Sequence, residues 1–267
     1  GLADLDQALS GLCPSDLIVI AARAGMGKTA FAVNLAMSIA VACHSVQFFS
    51  LEMSREQLLY RMLANRARVD LMQLRSGNLP DAAYARAVAE IEAISRLPLL
   101  IDDTPSLTEV DIVSRTKRQE PGIIFVDYLQ FVLPSARQER RDLEVALITR
   151  SLKSLAKELN IPVVLLAQLN RKLEERADKR PMLSDLRESG AIEQDADVVL
   201  FLYNDAEYDQ QSPDRGIAEL IIGKQRNGPR GTVPVAYDLP TTSFRNLAST
   251  DRQEFWQRKT QRPRRQS

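Results

Sequence analysis

The sequence predicts an α/β fold in which a mainly parallel sheet is covered by helices. Short apolar runs rich in Val, Ile, Leu and Phe alternate with longer stretches of helical periodicity, as in a parallel sheet with crossover helices. Several runs are continuously apolar, which is expected for strands buried on both faces. The predicted parallel strands are Leu17–Ala22, Val46–Leu51, Leu99–Asp102, Ile123–Asp127, Val163–Gln168 and Val198–Tyr203.

Helices are predicted between these strands. Lys28–Ala42 is almost wholly apolar and should be a buried helix. Two further apolar faces recur at helical spacing, namely Tyr84, Val88, Ile91 and Ile94 in the first and Val145, Ile148, Leu152, Leu155 and Leu159 in the second. Beyond residue 216, short strands joined by Gly/Pro turns predict an antiparallel extension of the sheet. These strands are Ile217–Ile222, Val233–Tyr237 and Ser243–Asn246.

Composition excludes several classes of protein. The 267 residues include 35 Lys+Arg and 35 Asp+Glu, so the formal net charge is zero and a uniformly basic, DNA-coating surface is excluded. Two cysteines and one histidine argue against a disulfide framework, a zinc cluster and a serine-type triad. No apolar run approaches the ~18 residues of a membrane helix, and we expect no signal peptide at Gly1.

A glycine-rich loop between the first strand and the buried helix is typical of a phosphate-binding loop. It reads Ala22-Arg-Ala-Gly25-Met-Gly27-Lys28-Thr29 and departs from G-x-x-x-x-G-K-[ST] in that Ala22 replaces the first glycine. Gly25 and Gly27 allow backbone N–H groups to point inward, and the following helix presents its positive N-terminus to the phosphates. The predicted nucleotide-binding residues are Ala24, Gly25, Met26, Gly27, Lys28, Thr29 and Ala30.

Lys28, Thr29 and Asp127 are expected to hold a nucleoside triphosphate and Mg²⁺. Lys28 would reach the β/γ oxygens and the Thr29 hydroxyl would ligate the metal ion. Asp127 ends the apolar run that begins at Ile123, as in a Walker B strand that presents a carboxylate to the same ion. The alternative for Asp127 is a cap for the next helix, which the neighbouring phosphate loop makes the weaker interpretation.

Glu52 and Gln168 each end an apolar run and should emerge at the same sheet edge as Asp127. Hydrolysis needs a group that orients or deprotonates water. Glu52 could be that base or an N-terminal helix charge beside Ser54. Gln168 could sense the γ-phosphate or bond to a loop. Spacing alone leaves both pairs of roles open.

Residues 1–250 are expected to form one domain, with polar loops and a tail that lack a core pattern. The loops Pro134–Asp142, Asn170–Ser184 and Asn204–Gly216 are long enough to be functional or disordered. Asp251–Ser267 carries six Lys/Arg against two acids and is expected to be a disordered basic tail.

Five motifs, in this order, are more specific than the phosphate loop alone. They lie in Phe49–Met53, Val126–Gln130, Ala167–Arg171, Lys179–Asp197 and Lys224–Gly228. Together, over about Gly1 to Ala248, they resemble the C-terminal motor domain of DnaB-type replicative DNA helicases. The run Ser184-Asp-Leu-Arg187-Glu-Ser-Gly190-Ala-Ile-Glu-Gln-Asp-Ala-Asp197 is the most specific part.

This resemblance implies a RecA-like fold, a homo-hexameric ring around single-stranded DNA and ATP bound between subunits. It implies that Glu52 is the catalytic base and Gln168 the γ-phosphate sensor. It also implies that Lys224 and Arg226 reach the neighbour's ATP, with Arg226 as the arginine finger. Without the resemblance, Lys224 to Arg226 would be interpreted as a solvated turn before Pro229.

The resemblance further implies an ATP-dependent 5′→3′ helicase that acts in the cytoplasm. Its DNA contacts would be the Arg187 side chain and the backbone of Glu188 and Gly190, with Asn170–Ser184 facing the channel. Primase and a helicase loader are implied partners through a full-length protein whose N-terminal domain and linker helix are expected to lie outside this sequence. The competing interpretations are a RecA/RadA-like recombination ATPase and a non-hydrolysing, nucleotide-gated binding module.

Overall fold

A nine-stranded sheet forms the centre of the computed structural model, which describes residues 1–261 except for the side chains of 187–189 and 261. The strands are β1 (Leu17–Ala22), β2 (Val46–Ser50), β3 (Leu99–Asp102), β4 (Ile123–Asp127), β5 (Val163–Gln168), β6 (Val198–Tyr203), β7 (Ile217–Gln225), β8 (Gly231–Asp238) and β9 (Ser243–Asn246). Their spatial order is β3-β2-β4-β5-β1-β6-β7-β8-β9.

The direction of the strands matches the sequence prediction. β1 pairs in parallel with β5 and β6, and β4 lies in parallel between β2 and β5. From β6 onward the pairing is antiparallel, through β7 and β8 to β9. The predicted α/β class with an antiparallel C-terminal extension is confirmed.

Helices cover both faces of the sheet. They are α1 (Ala3–Leu9), α2 (Lys28–Val41), α3 (Arg55–Ala67), α4 (Leu71–Ser76), α5 (Asp81–Ser95), α6 (Glu109–Gln119), α7 (Arg141–Leu159), α8 (Gly190–Asp195) and α9 (Ser249–Gln261). Short 3₁₀ turns complete the connections, namely η1 (Leu129–Phe131), η2 (Arg171–Glu175), η3 (Leu183–Ser189) and η4 (Asp205–Glu207). No helix in the described part of the chain is both long and apolar enough to cross a membrane.

Alternate residues of the central strands point into two separate cores. Ile18 and Ile20 of β1 join the core beneath α2, whereas Leu17 and Val19 join the core beneath α7. These four side chains are at most 2% exposed. Full burial of such a side chain contributes roughly 1.5–3 kcal/mol, so continuous apolar runs are what a two-faced sheet requires.

Three of the four residues of the apolar face predicted on α5 are exposed, and only Ile94 packs against the core. Tyr84, Val88 and Ile91 are 63%, 47% and 54% exposed, whereas Ala87 is buried. Ala87 packs with Ala64 and other small apolar residues of the α3 to α5 layer. α5 therefore packs through Ala87 and Ile94, the latter against the core beneath α2, and leaves Tyr84, Val88 and Ile91 exposed.

The expectation of a disordered basic tail is wrong for residues 251–261, which belong to α9. Phe255 is fully buried in this helix. Basic side chains pair inward, as Arg252 lies 2.6 Å from Asp4 and Lys259 lies 2.7 Å from Asp214. The positive charges that suggested a solvated tail instead meet carboxylates elsewhere in the fold. Residues 262–267 of the predicted tail lie outside the described residues.

Candidate active site

The carboxyl ends of four neighbouring parallel strands bring the predicted catalytic residues together. β1 runs into the phosphate loop, β4 ends at Asp127 and β5 ends at Gln168. β2 ends at Ser50, two residues before Glu52. Because these strands are parallel, their ends share one edge of the sheet, where α/β proteins bind ligands.

The phosphate loop requires its glycines at two positions. Gly25 and Gly27 have φ angles of 85° and 86°, which residues with a side chain rarely adopt. A Cβ on Gly27 would also lie 2.8 Å from the Tyr237 hydroxyl, so Tyr237 leaves no room for a larger residue. Gly27 is the N-cap of α2, whose first turn contains no acidic residue. The amide-lined start of α2 is therefore available to an anion.

Lys28, Thr29 and Asp127 contact one another at the start of α2. The Thr29 hydroxyl donates to Asp127 Oδ2 at 2.7 Å, and Lys28 Nζ lies 3.9 Å from Asp127 Oδ1. The Lys28 ammonium also lies 3.8 Å from the centroid of the Tyr128 ring. Asp127 is fully buried, and its Oδ1 accepts no hydrogen bond from the described residues.

Burial shifts the pKa of both charged groups toward the neutral form. Desolvation lowers the pKa of Lys28, while Asp127 and Glu52 oppose that shift. Desolvation likewise raises the pKa of Asp127, and Lys28 and the Thr29 hydrogen bond oppose it. A bound cation and a bound polyanion would each relieve part of this cost.

Glu52 is exposed beside this buried group. It lies close enough to influence the pKa of Lys28, Asp127 and Tyr128. Glu52 is not part of the cap of α3, which begins at Arg55 and whose N-cap, Ser54, forms a capping box with Gln57. Both roles expected for Glu52 remain predictions. An exposed carboxylate at the mouth of the site can meet water, which a buried one cannot.

Gln168 is held at the end of β5 by Gln130, which follows β4. Gln130 Nε2 donates to the Gln168 carbonyl and Gln130 Oε1 accepts from the Gln168 N–H, both at 3.3 Å. Gln130 and Gln168 line a 340 Å³ cavity together with Arg23, Asn170 and Arg171. The Gln168 side chain thus emerges between the phosphate loop and the Asn170–Ser184 segment.

Lys224 and Arg226 lie at the opposite edge of the sheet. Gln225 is in register with Val198, and Val198 with Ile18, four residues before the end of β1. At ~3.3 Å per residue, Gln225, between Lys224 and Arg226, lies roughly 13 Å from the end of β1 along the strand direction. Neither is therefore brought to the phosphate loop of its own chain.

Both cations contact the end of α8 in the isolated chain. Lys224 Nζ donates to the carbonyls of Glu193 at 2.5 Å and Ala196 at 2.6 Å. Arg226 pairs with Asp197 at 3.1 Å and donates to the Gln194 carbonyl at 2.8 Å. The Arg226 side chain remains 47% exposed. Its contacts with Asp197 and the Gln194 carbonyl differ from the solvated turn, in which it would have no partner within the protein.

The predicted DNA segment lies in η3 and at the first residue of α8. The backbone of Arg187 and Glu188 is part of η3, but their side chains lie outside the described residues. Gly190 begins α8 with φ −50°, and a Cβ there would meet nothing within 4 Å. The fold of this chain therefore gives no reason for glycine at position 190.

Sequence reasoning missed Arg61 of α3. Its Nε is buried without a hydrogen-bond acceptor among the described residues. Burial lowers the pKa of the guanidinium, and the nearby Tyr237, Asp127 and Glu52 oppose that shift. No motif indicated this residue, because only the packing of α3 on α2 brings it to the site.

Arg23 was also missed, although it lies within the phosphate loop. Its side chain is only 8% exposed. Arg23 Nε lies 2.8 Å from Glu174 of η2, and its Nη1 donates to the Leu169 carbonyl at 2.8 Å. A variable position of the loop motif therefore links the phosphate loop to the Asn170–Ser184 segment.

Comparison with known proteins places this site in a family. The model of the DnaB-like helicase C terminal domain matches residues 1–246. The replicative DNA helicase DnaB of Haemophilus influenzae is 50% identical over 256 residues, which cover 93% of this chain and 55% of that protein. The Geobacillus stearothermophilus DnaB is 47% identical over 253 residues, covering 92% and 56%.

Solved structures agree with the sequence matches. A solved ATPase domain superimposes with a TM-score of 0.89 at 37% identity, covering 93% of this chain and 90% of that one. A DnaB-like replicative helicase, described with its interactions with primase, gives a TM-score of 0.90 at 37% identity and covers 93% and 61%.

These matches confirm the RecA-like fold and do not favour the recombination ATPase alternative. The chain spans about half the length of the curated relatives it matches. Its match over residues 1–246, at close to half identity, shows that the chain belongs to the family of DnaB-like helicase C-terminal domains.

Proposed function

We propose that this chain is the ATP-hydrolysing motor of a replicative DNA helicase that forms a homo-hexameric ring, translocates 5′→3′ on single-stranded DNA and unwinds the duplex at the replication fork. One observation carries the intersubunit part of the proposal. Lys28, Thr29 and Asp127 meet at one sheet edge, whereas the exposed Arg226 lies at the other. Two copies must meet for all of these groups to surround one ATP.

The buried carboxylate fits a magnesium ion. Asp127 Oδ1 has no donor among the described residues, and the Thr29 hydroxyl lies beside the same carboxylate. Carboxylate and hydroxyl oxygens suit Mg²⁺, which also binds substrate phosphates. When bound, Mg²⁺ neutralises charge on the β/γ oxygens. Thr29 and Asp127 would hold it.

The other residues take roles that their positions allow. Lys28 binds the β/γ oxygens from the start of α2. Glu52, exposed beside Asp127, accepts a proton from the attacking water. Gln168, held through its backbone by Gln130, orients the γ-phosphate. Arg226 of a neighbouring copy meets charge that develops on the transferring phosphoryl group, with Lys224 beside it; such a finger is commonly worth ~10³–10⁵ in rate.

Single-stranded DNA would pass beside η3 and the Asn170–Ser184 segment. That segment contains five Lys/Arg against three acids, and Gly190 offers an unobstructed backbone. Phosphate contacts suit a motor because they carry no sequence information. Primase and a helicase loader would act through a longer protein that contains this chain, in the cytoplasm.

Mixing two inactive variants tests the intersubunit site. Lys28→Ala and Arg226→Ala should each lower ATPase activity at least about a hundredfold, as loss of a finger or a phosphate-loop lysine would. Mixing them should restore part of the activity, because some interfaces then pair an intact Lys28 with an intact Arg226. ATP turnover is measured against the mixing ratio.

Arg245→Ala is the matched control, because Arg245 is an exposed arginine of β9 outside the proposed site. When Arg245→Ala is mixed with Lys28→Ala, the ATPase activity should be proportional to the fraction of Arg245→Ala subunits. Absence of recovery in the Lys28→Ala and Arg226→Ala mixture, while labelled subunits are seen to exchange, would contradict a finger that acts between subunits.

A further inference from the structure

The C-terminal helix α9 covers two buried carboxylates. Asp214 precedes β7 and is 2% exposed, and Glu219 of β7 is 3% exposed. Phe255 of α9 is fully buried, and Lys259 Nζ lies 4.8 Å from the centroid of its ring. Buried carboxylates need counter-ions, and α9 supplies two of them.

Lys259 bridges the two carboxylates. Its Nζ lies 2.7 Å from Asp214 Oδ2 and 2.9 Å from Glu219 Oε1, and its side chain is 10% exposed. Arg258 Nε adds a contact of 3.1 Å to Asp214 Oδ1. Lys259 thus reduces the repulsion between two acids that the fold holds close together.

Glu219 also anchors the Asn170–Ser184 segment. Arg180 Nη2 lies 2.6 Å from Glu219 Oε1, the same oxygen that Lys259 contacts. The Arg180 guanidinium lies 5.7 Å from the Tyr203 ring centroid. The Arg180 carbonyl accepts a hydrogen bond from Arg176 at 2.8 Å. The end of the segment is therefore fixed to β7 through one carboxylate.

We propose that Lys259 and Glu219 are positioning residues for the Asn170–Ser184 segment, so that α9 sets where this segment stands for its contact with single-stranded DNA. The contact with DNA rests on the proposed function; the anchoring by α9 does not. Loss of Lys259 removes the cation between the two carboxylates and leaves Asp214 with Arg258 and Glu219 with Arg180 as their remaining counter-ions. Glu219 is then free to turn toward water, and Arg180 follows it.

Lys259→Met tests the anchoring by hydrogen exchange of the full chain without DNA. Amides of residues 171–180 should exchange about tenfold faster, equivalent to about 1.4 kcal/mol of lost protection. In Lys259→Arg these amides should exchange as slowly as in the parent chain, because arginine keeps a cation between the carboxylates. Glu219→Gln should also accelerate exchange in the same residues.

Arg252→Gln is the matched control, since it removes a cation from the other end of α9, where Arg252 pairs with Asp4. If general loosening of α9 were the cause, Arg252→Gln would accelerate exchange in residues 171–180 equally. That result would overturn the proposal, and so would slow exchange in Lys259→Met.

The DNA readout separates this inference from the proposed function. In Lys259→Met, the concentration of oligo(dT) that gives half-maximal ATPase stimulation should rise several-fold with the KM for ATP unchanged. If stimulation is unchanged although exchange is faster, α9 does not position the segment for DNA and the proposal is overturned. If the parent chain shows no stimulation, the proposed function fails, while the exchange comparison still decides the anchoring.

Discussion

At the scale of single residues, the site gathers charges whose burial is costly without a ligand. Lys28 and Asp127 have pKa values shifted toward their neutral forms by desolvation, and Arg61 has a buried nitrogen without an acceptor among the described residues. A buried cation without a counter-ion is unfavourable. The proposed binding of phosphate oxygens together with a metal ion would stabilise this arrangement.

Arg61 is expected to contribute to ATP affinity. Arg61→Gln should weaken binding of a non-hydrolysable ATP analogue at least about tenfold, since a hydrogen bond to a charged group contributes roughly 1.5–3 kcal/mol. ADP binding should change less, because the carboxylates near Arg61 are those assigned to the γ-phosphate end. Titration of fluorescent nucleotides measures both affinities.

Arg66→Gln is the comparison for that measurement. Arg66 lies on the same helix, but its Nε pairs with Glu90 at 2.6 Å, so it is already neutralised within the protein. An equal loss of ATP affinity in both variants would show that Arg61 acts only through the stability of α3.

At the scale of elements, the phosphate loop contacts the Asn170–Ser184 segment directly, and the C-terminal helix is linked to it through Glu219. Arg23 pairs with Glu174 in the first half of the segment, and Lys259 shares the Glu219 carboxylate with Arg180 of the second half. The segment has few buried apolar side chains of its own, Leu173 being one. Its position therefore depends on charged contacts with elements that are distant in sequence.

The burial of α9 makes a direct prediction for stability. Phe255→Ala should lower the free energy of unfolding by roughly 3–5 kcal/mol, as for other buried phenylalanines. Urea titration followed by circular dichroism measures the change. Trp256→Ala provides the comparison, because Trp256 is the next residue and is 41% exposed. Similar small losses in both variants would contradict the packing of α9 described above.

At the scale of the whole molecule, zero net charge is compatible with binding DNA. The 35 basic and 35 acidic residues balance overall, while Asn170–Ser184 has a local excess of positive charge. A ring needs only a few phosphate contacts per subunit, repeated by symmetry. Many acids are used within the fold, as Asp197, Asp214 and Glu219 each pair with basic side chains.

ATPase activity is expected to rise with single-stranded DNA and to lose this stimulation as salt increases. Each phosphate contact releases counter-ions, so DNA affinity falls with salt. The logarithm of the binding constant changes with the logarithm of the salt concentration by about −0.7 per contact for single strands. Arg187→Ala should remove most of the stimulation and reduce that slope by about one contact per subunit. Turnover is measured across oligo(dT) and NaCl concentrations.

Arg245→Ala should retain the stimulation and the salt slope of the parent chain, because Arg245 lies on β9, outside the proposed DNA path. Stimulation that survives in Arg187→Ala would remove Arg187 from that path. The remaining candidates would then be the basic residues of Asn170–Ser184.

The class of the fold and the local chemistry of the phosphate loop could be predicted from the sequence alone. Both depend on neighbours in the chain, namely continuous apolar runs for the doubly covered strands and Gly25, Gly27 and Lys28 between a strand and a helix. The roles expected for Glu52, Gln168 and Arg226 came from resemblance to a family and remain predictions.

Other features depend on residues that are distant in sequence and could be read only from the folded chain. Strand register placed Arg226 at the edge opposite the phosphate loop, and helix packing brought Arg61 to Asp127. The helical spacing of apolar residues predicted α5 but not the exposure of Tyr84. Such spacing identifies an apolar face, but it does not show whether another element packs against that face. The excess of basic residues in α9 predicted a disordered tail, because the carboxylates that neutralise them lie in distant parts of the sequence.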